Sequence, residues 1–63
     1  METFLDRLKN EEKELTERIN KLSGFTNSEH FNKVDDVQKA LLKVQLAAMR
    51  TYQECLNERI TRL

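Results

Sequence analysis

Gly24 is the only glycine in the chain, and proline is absent from all 63 residues. These two residues are the ones that most often interrupt a helix, so a long helix can run on each side of Gly24. Charged residues make up 35% of the chain, which suits helices that keep one face in solvent. The sequence therefore predicts an all-α fold, an antiparallel helical hairpin formed by residues 1–63 as a single domain.

Residues 2–22 have the apolar spacing of an amphipathic helix. Aliphatic side chains recur at intervals of seven and four residues, at Met1, Leu5, Leu8, Leu15, Ile19 and Leu22. Glu11 and Glu12 interrupt this stripe where a strict coiled coil has an apolar residue. Ser23-Gly24 is predicted to end the helix, because glycine readily adopts the left-handed conformation that closes a helix.

A short connection and a second long helix are predicted next. Thr26 and Glu29 have the spacing of a capping box, which indicates a short helix over residues 27–33, with its Phe folded back onto the hairpin. Asp35 begins a second capping pattern, and no helix breaker follows before Leu63. At about 1.5 Å per residue, we expect a second helix of about 40 Å that overhangs a first helix of about 30 Å.

The second long helix carries two apolar stripes. The first consists of Val37, Leu41, Val44, Ala48 and Cys55, and the second of Leu42, Leu46, Met49, Tyr52, Leu56, Ile60 and Leu63. One partner helix covers one stripe, and an uncovered apolar face on a small protein marks an association surface. We therefore expect the hairpin to pack against copies of itself, with Met49 in that contact and Cys55 as a small buried apolar residue.

Composition argues against several functional classes. Eleven basic residues balance eleven acidic ones, which disfavours general binding to DNA or RNA. One Cys and one His give neither an internal disulfide nor a zinc cluster. Adjacent carboxylates on a helix do not converge on one point, so no catalytic residue, cofactor or metal is predicted. The absence of a long apolar run or signal peptide predicts a protein that functions away from membranes in a reducing compartment.

Lys21 and Ser23 are candidate ligand-binding residues beside the predicted turn. We expect the amides of Gly24 and Phe25 to be free there, and a cation, a hydroxyl and turn amides together suit a phosphate. Lys21 has an alternative role as an ordinary residue at a helix end, where its charge interacts favourably with the helix dipole.

Basic and aromatic residues also lie at the two ends of the chain. Arg59 and Arg62 in the final turn either stabilise the helix dipole or, where helix ends converge in a symmetric assembly, bind an anion. Phe4 and Arg7 can supply a stacking surface and a charge to the turn of a neighbouring copy.

The order of these residues resembles a known family. The pattern consists of Lys21-Leu22, Gly24-Phe25, Phe31, Leu41-Leu42, Gln45-Leu46, Met49, Tyr52, Leu56 and Arg59-Ile60. It resembles the small bacteriophage anti-CBASS proteins that act as cyclic-oligonucleotide sponges, a family related to a crAss-like phage protein. The resemblance extends over nearly the whole chain and rests mainly on positions in helix cores.

The resemblance implies a helical hairpin with a short extra N-terminal helix, assembled as a homohexamer. It also implies a ligand class: cyclic dinucleotides such as cyclic GMP–AMP between protomers, and in some members cyclic trinucleotides near the symmetry axis. Such proteins sequester the messenger without cleaving it, so the CBASS effector stays inactive. They act in the cytoplasm of the infected bacterial host.

The resemblance further assigns roles to individual positions. Lys21 matches the lysine that contacts the dinucleotide phosphate, and Ser23 with Arg62 fits the trinucleotide site. Phe4 is the available aromatic residue of the first helix for stacking on a base. A function of another class stays open on the residues alone: a structural or adaptor protein that binds a partner helix through the apolar face of residues 37–63.

Overall fold

The computed structural model describes residues 1–63. Helix α1 spans Phe4–Thr26, a 3₁₀ helix spans Glu29–Lys33, and helix α2 spans Asp36–Thr61. The two long helices pack side by side as an antiparallel hairpin with extents of 45 × 18 × 13 Å. The predicted all-α hairpin with a short connecting helix is confirmed. Neither long helix contains a stretch apolar enough to cross a membrane.

Helix α1 begins with a capping box that the sequence pattern had not revealed. The Asp6 amide donates to the Thr3 hydroxyl at 3.1 Å, and the Thr3 amide donates to the Asp6 carboxylate at 3.2 Å. The bond from the Thr3 backbone is the main reason that the pKa of Asp6 is lowered. Because this cap starts α1 at Phe4, the separate short N-terminal helix implied by the resemblance is absent.

The predicted end of α1 at Ser23-Gly24 is wrong. The helix continues to Thr26, and Gly24 does not have a positive φ. The predicted Thr26–Glu29 capping box is also wrong, because Thr26 is the last residue of α1, where its hydroxyl donates to the Ser23 carbonyl at 2.8 Å, and the N-cap of the 3₁₀ helix is Ser28, without a side-chain cap. A single glycine costs a helix about 1 kcal/mol relative to alanine, too little to end it where the following residues still form helical hydrogen bonds.

A pair of aromatic rings packs the connector, which we define as residues 27–35, against the end of α1. Phe31 is buried and meets the ring of Phe25 edge-on, with centroids 5.9 Å apart. Phe31 is therefore folded back as predicted. Asp35 then caps α2 by accepting from two amides, those of Val37 at 3.0 Å and Gln38 at 3.1 Å, which confirms the predicted start of the second long helix.

The core of the hairpin is a single row of aliphatic side chains. It contains Leu8, Leu15, Ile19, Leu46 and Leu56, with Leu22, Met49 and Ile60 packed against it. Helix α1 thus covers most of the second apolar stripe of α2, although Tyr52 and Leu63 stay exposed, and Met49, predicted in a contact between copies, packs against the core of its own chain. The first stripe is left exposed, including Cys55, which was predicted to be buried. A helix with one partner inside the chain can bury only one such face.

The predicted overhang of the second helix is wrong in size. With 23 residues in α1 and 26 in α2, the two helices are about 35 and 39 Å long at about 1.5 Å per residue. The four residues by which α1 continues past its predicted last residue, Leu22, account for most of the difference.

Candidate functional site

The candidate residues lie at the two opposite ends of the hairpin. Those at the open end, where both chain termini lie, are Phe4, Arg7, Arg59 and Arg62, and those near the connector are Lys21, Ser23 and Gly24. Lys21 follows Phe4 by seventeen positions along α1, a distance of about 25 Å at about 1.5 Å per residue. One chain therefore does not bring all the predicted residues onto one small molecule.

At the open end, Phe4 and Arg59 form a pair across the two helices. The Arg59 guanidinium carbon lies 5.9 Å from the centroid of the Phe4 ring, within the range of a cation–π interaction. The Phe4 side chain is nevertheless 58% exposed. The pair therefore presents a cation and an accessible aromatic ring side by side, the two groups that contact the phosphates and bases of single-stranded nucleotides.

The other two arginines of the open end differ from each other in their partners. Arg62 donates from Nε to Glu58 at 2.9 Å and forms a salt bridge through Nη2 at 2.9 Å to the same oxygen. Both side chains of this pair are well exposed, so the bridge adds little stability and leaves the guanidinium accessible. Arg7 is exposed and forms no salt bridge.

Near the connector, the predicted phosphate-binding set loses its backbone donors. Gly24 and Phe25 lie inside α1, where backbone amides donate within the helix, so these amides are not the free turn amides that were predicted. The Lys21 side chain is exposed and forms no salt bridge. The Ser23 hydroxyl makes no hydrogen bond within the chain, whereas the Ser23 carbonyl accepts from Asn27 and Thr26. What remains here for a phosphate is one ammonium group and one hydroxyl.

A ladder of polar contacts between the helices was missed by the sequence reasoning. The Tyr52 hydroxyl donates to Glu11 Oε2 at 2.5 Å, and Gln53 donates to the Thr16 hydroxyl at 2.7 Å. Thr16 in turn donates to Glu12 Oε1 at 2.8 Å. These bonds explain the acidic gap in the apolar stripe of α1, because Glu11 accepts from Tyr52 of α2 and Glu12 accepts from Thr16 of α1 itself. In the sequence, the only sign of these contacts is the acidic gap, and it can be interpreted only when the antiparallel register of the helices is known.

The hydrogen bond to Glu11 also changes the ionisation of Tyr52. It is the main cause that raises the pKa of the phenol, with burial and the negative charge of Glu11 acting in the same direction. The positive charge of Arg59 acts weakly against them. Tyr52 and Arg59 thus belong to one electrostatic neighbourhood, on the side of the hairpin that also carries Phe4.

The single chain offers no enclosed cavity and no cluster of three or more metal-ligating side chains. Its polar groups are spread over the surface of a narrow rod. The arrangement therefore suits contacts shared with another molecule.

Comparison with known proteins identifies the family. The model of the Sequestin family matches residues 2–62. A protein of Enterobacteria phage T4, described as an uncharacterized 7.5 kDa protein in the denB–rIIB intergenic region, is 40% identical over 60 residues, which cover 95% of this chain and 94% of the relative. No solved structure matches the chain significantly. The match to Sequestin and the T4 relative confirm the predicted link to a phage family of sequestering proteins, and the chain belongs to the Sequestin family.

Proposed function

We propose that this protein is a phage immune-evasion protein that binds cyclic oligonucleotide second messengers and holds them without cleavage. Membership of the Sequestin family, over residues 2–62, is the observation that carries the proposal. The family description indicates a binding protein, which fits a chain whose carboxylates do not converge on a shared point.

The chemistry of the two ends of the hairpin suits such ligands. Cyclic dinucleotides such as cyclic GMP–AMP, and cyclic trinucleotides, combine two or three phosphates with flat bases. Lys21 and Ser23 offer a charge-assisted hydrogen bond and a hydroxyl to a phosphate. Phe4, held beside Arg59, offers a face for stacking, worth about 1–3 kcal/mol per base in single-strand binders. A formal net charge of zero disfavours polymeric nucleic acids, which bind through many phosphates.

We place the ligand sites between protomers of a homohexamer. The two ends of one hairpin are too far apart to share a ligand, and one chain encloses no cavity. Only six of 63 residues are buried, so a lone hairpin has a small core for a protein of this length. Association of copies both adds to that core and encloses a ligand that each subunit contacts with few residues. In the cytoplasm of an infected bacterium, such capture lowers the free messenger and keeps the CBASS effector inactive.

Calorimetry with the intact protein tests this function. Titration of cyclic GMP–AMP is expected to give saturable heat, whereas linear GpA, which has the same bases without the closed ring, serves as the matched control. After denaturation of the complex, chromatography is expected to return the cyclic nucleotide unchanged. The proposal is refuted if no cyclic di- or trinucleotide gives heat, and a cleaved product would show that the protein is an enzyme.

A second function, that of a structural or adaptor protein, is favoured by the exposed first stripe of α2. Val37, Leu41 and Val44 lie on this stripe and are more than half exposed. An adaptor of this kind binds an amphipathic helix of another protein through residues 37–63. The adaptor function predicts a hairpin that remains monomeric and gives no heat with cyclic nucleotides, whereas the sequestering function predicts association and saturable heat.

A further inference from the structure

Six exposed residues form a continuous seam along α2. They follow the alternating spacing of four and three residues typical of helix pairing and consist of Val37, Leu41, Val44, Ala48, Thr51 and Cys55. At about 100° per residue, the seam lies about 135° around the helix from the side chains that pack on α1. It is about 27 Å long. The seam is therefore a second packing surface, on a different side of α2 from the one that the hairpin already uses.

The surface area of the chain indicates how much of this face a partner would cover. A compact folded protein of 7.5 kDa exposes about 4,200 Å². This hairpin exposes 5067 Å². The excess of about 800 Å² equals what one partner contributes to a standard protein–protein interface. The radius of gyration, 14.5 Å, likewise exceeds the roughly 11 Å of a compact chain of this length.

The seam is complementary to itself in one orientation. Its N-terminal half carries the large side chains, Val37, Leu41 and Val44, and its C-terminal half carries the small ones, Ala48, Thr51 and Cys55. Two antiparallel copies place each large residue opposite a small one, which keeps the helix axes at a constant distance. A parallel pair would place large residues together at one end and leave gaps between small residues at the other.

Polar groups favour the same orientation. In the same register, a parallel pair would align Glu58 with Glu58 of the second copy and Arg62 with Arg62, whereas an antiparallel pair leaves these charges beyond the overlap. The one hydroxyl in the seam belongs to Thr51, and it already donates to the Ala47 carbonyl at 3.2 Å. Its burial therefore leaves no unpaired donor.

We infer that α2 packs antiparallel against α2 of a second copy through this seam, with Val37 opposite Cys55, Leu41 opposite Thr51 and Val44 opposite Ala48. The inference rests on the self-association in the proposed function and names the surface and orientation of one contact. It also brings Arg59 and Arg62 of one copy to the connector end of the other, the end that carries Lys21 and Ser23. Each end of the pair thus carries candidate residues from both copies.

Disulfide trapping tests the orientation. In the variant Val37→Cys, the new thiol lies opposite the native Cys55 of the second copy, so mild oxidation is expected to give a covalent dimer on a non-reducing gel. Mass spectrometry of the digest is expected to find the peptide of residue 37 joined to that of residue 55. Val37 is 69% exposed in the hairpin, so the change leaves the intramolecular core intact.

Two controls make the result decisive. The wild type carries only Cys55, and an antiparallel pair holds these two thiols about 27 Å apart; its chains are therefore expected to stay uncrosslinked. Val37→Cys combined with Cys55→Ser is likewise expected to stay uncrosslinked. A wild-type Cys55–Cys55 dimer, or no crosslink in the single variant, overturns the inference. Calorimetry with cyclic GMP–AMP on the wild type reports separately on ligand binding, so failure of the contact is distinguished from failure of the function.

Discussion

The substitution Gly24→Ala tests whether α1 runs through this position. No heavy atom of a neighbouring element lies within 4 Å of a Cβ built on Gly24, and the residue does not have a positive φ. Alanine therefore fits without strain and replaces a residue that costs a helix interior about 0.5–1 kcal/mol. We expect the free energy of unfolding to increase by that amount.

The size of this effect is measurable in thermal melts. For a domain of 60–100 residues, 1 kcal/mol corresponds to a change in Tm of about 4–8 °C, so Gly24→Ala is expected to raise Tm by about 2–8 °C. Far-UV circular dichroism at matched protein concentrations is the appropriate assay, because association makes Tm depend on concentration. The ligand is omitted, since Gly24 is itself a candidate site residue.

Gly24→Asn provides the matched control, because asparagine tolerates the left-handed conformation better than alanine does. In a helix interior, the expected order of stability is alanine, then asparagine, then glycine. If Gly24 instead closed the helix in the left-handed conformation, glycine would be the most stable and alanine the least. A lower Tm for the alanine variant would refute the continuous helix described here.

Three further predictions concern the ligand, the core and the pH dependence. Lys21→Ala is expected to weaken binding of cyclic dinucleotides in calorimetry while the mass by light scattering is unchanged. Lys13→Ala, which changes another exposed lysine of α1, is expected to have no effect. If the Lys21→Ala variant and the wild type bound with equal affinity, Lys21 would be an ordinary surface residue. Met49→Glu places a charge against the core and is expected to cost about 2 kcal/mol or more of an unfolding free energy near 3–9 kcal/mol, so helicity should be lost at a lower urea concentration. Leu41→Glu on the exposed seam should keep the hairpin folded and lower only the mass measured by light scattering. The reverse pattern would contradict the assignment of the two stripes. The pKa of Tyr52 is raised in the folded state, so the stabilisation from its protonated phenol is complete below the ordinary pKa of 10.0 and is lost as the pH rises through the higher folded pKa. Tyr52→Phe is expected to remove this loss of stability at alkaline pH in melts recorded across pH. An unchanged pH profile would argue against the hydrogen bond to Glu11.

The polar ladder between the helices has a structural consequence for the hairpin. A slide of α2 along α1 by one turn preserves much of the aliphatic contact, since leucines and isoleucines repeat along both helices. It does not preserve the bonds from Tyr52 to Glu11 and from Gln53 to Thr16. Polar partners of this kind, of which the Gln53–Thr16 pair is partly buried, select one register among several that the apolar stripe allows.

The amino-acid sequence by itself determined the helical class, the presence of a short connecting helix and the start of α2. These features depend on local signals: apolar periodicity, the absence of proline, and the side chain of Asp35 within reach of two nearby amides. The family was also recognisable from the order of residues along the chain, because a family pattern is itself a property of sequence.

Only the tertiary structure decided which faces and ends come together. Both stripes of α2 are apolar, and periodicity alone does not say which one α1 covers. The bond between Tyr52 and Glu11 joins residues 41 positions apart, so it exists only in one register of the packed helices. Gly24 was misread for the same reason: whether a lone glycine ends a helix depends on how the following residues pack, and here Phe25 packs on Phe31 while the helix continues.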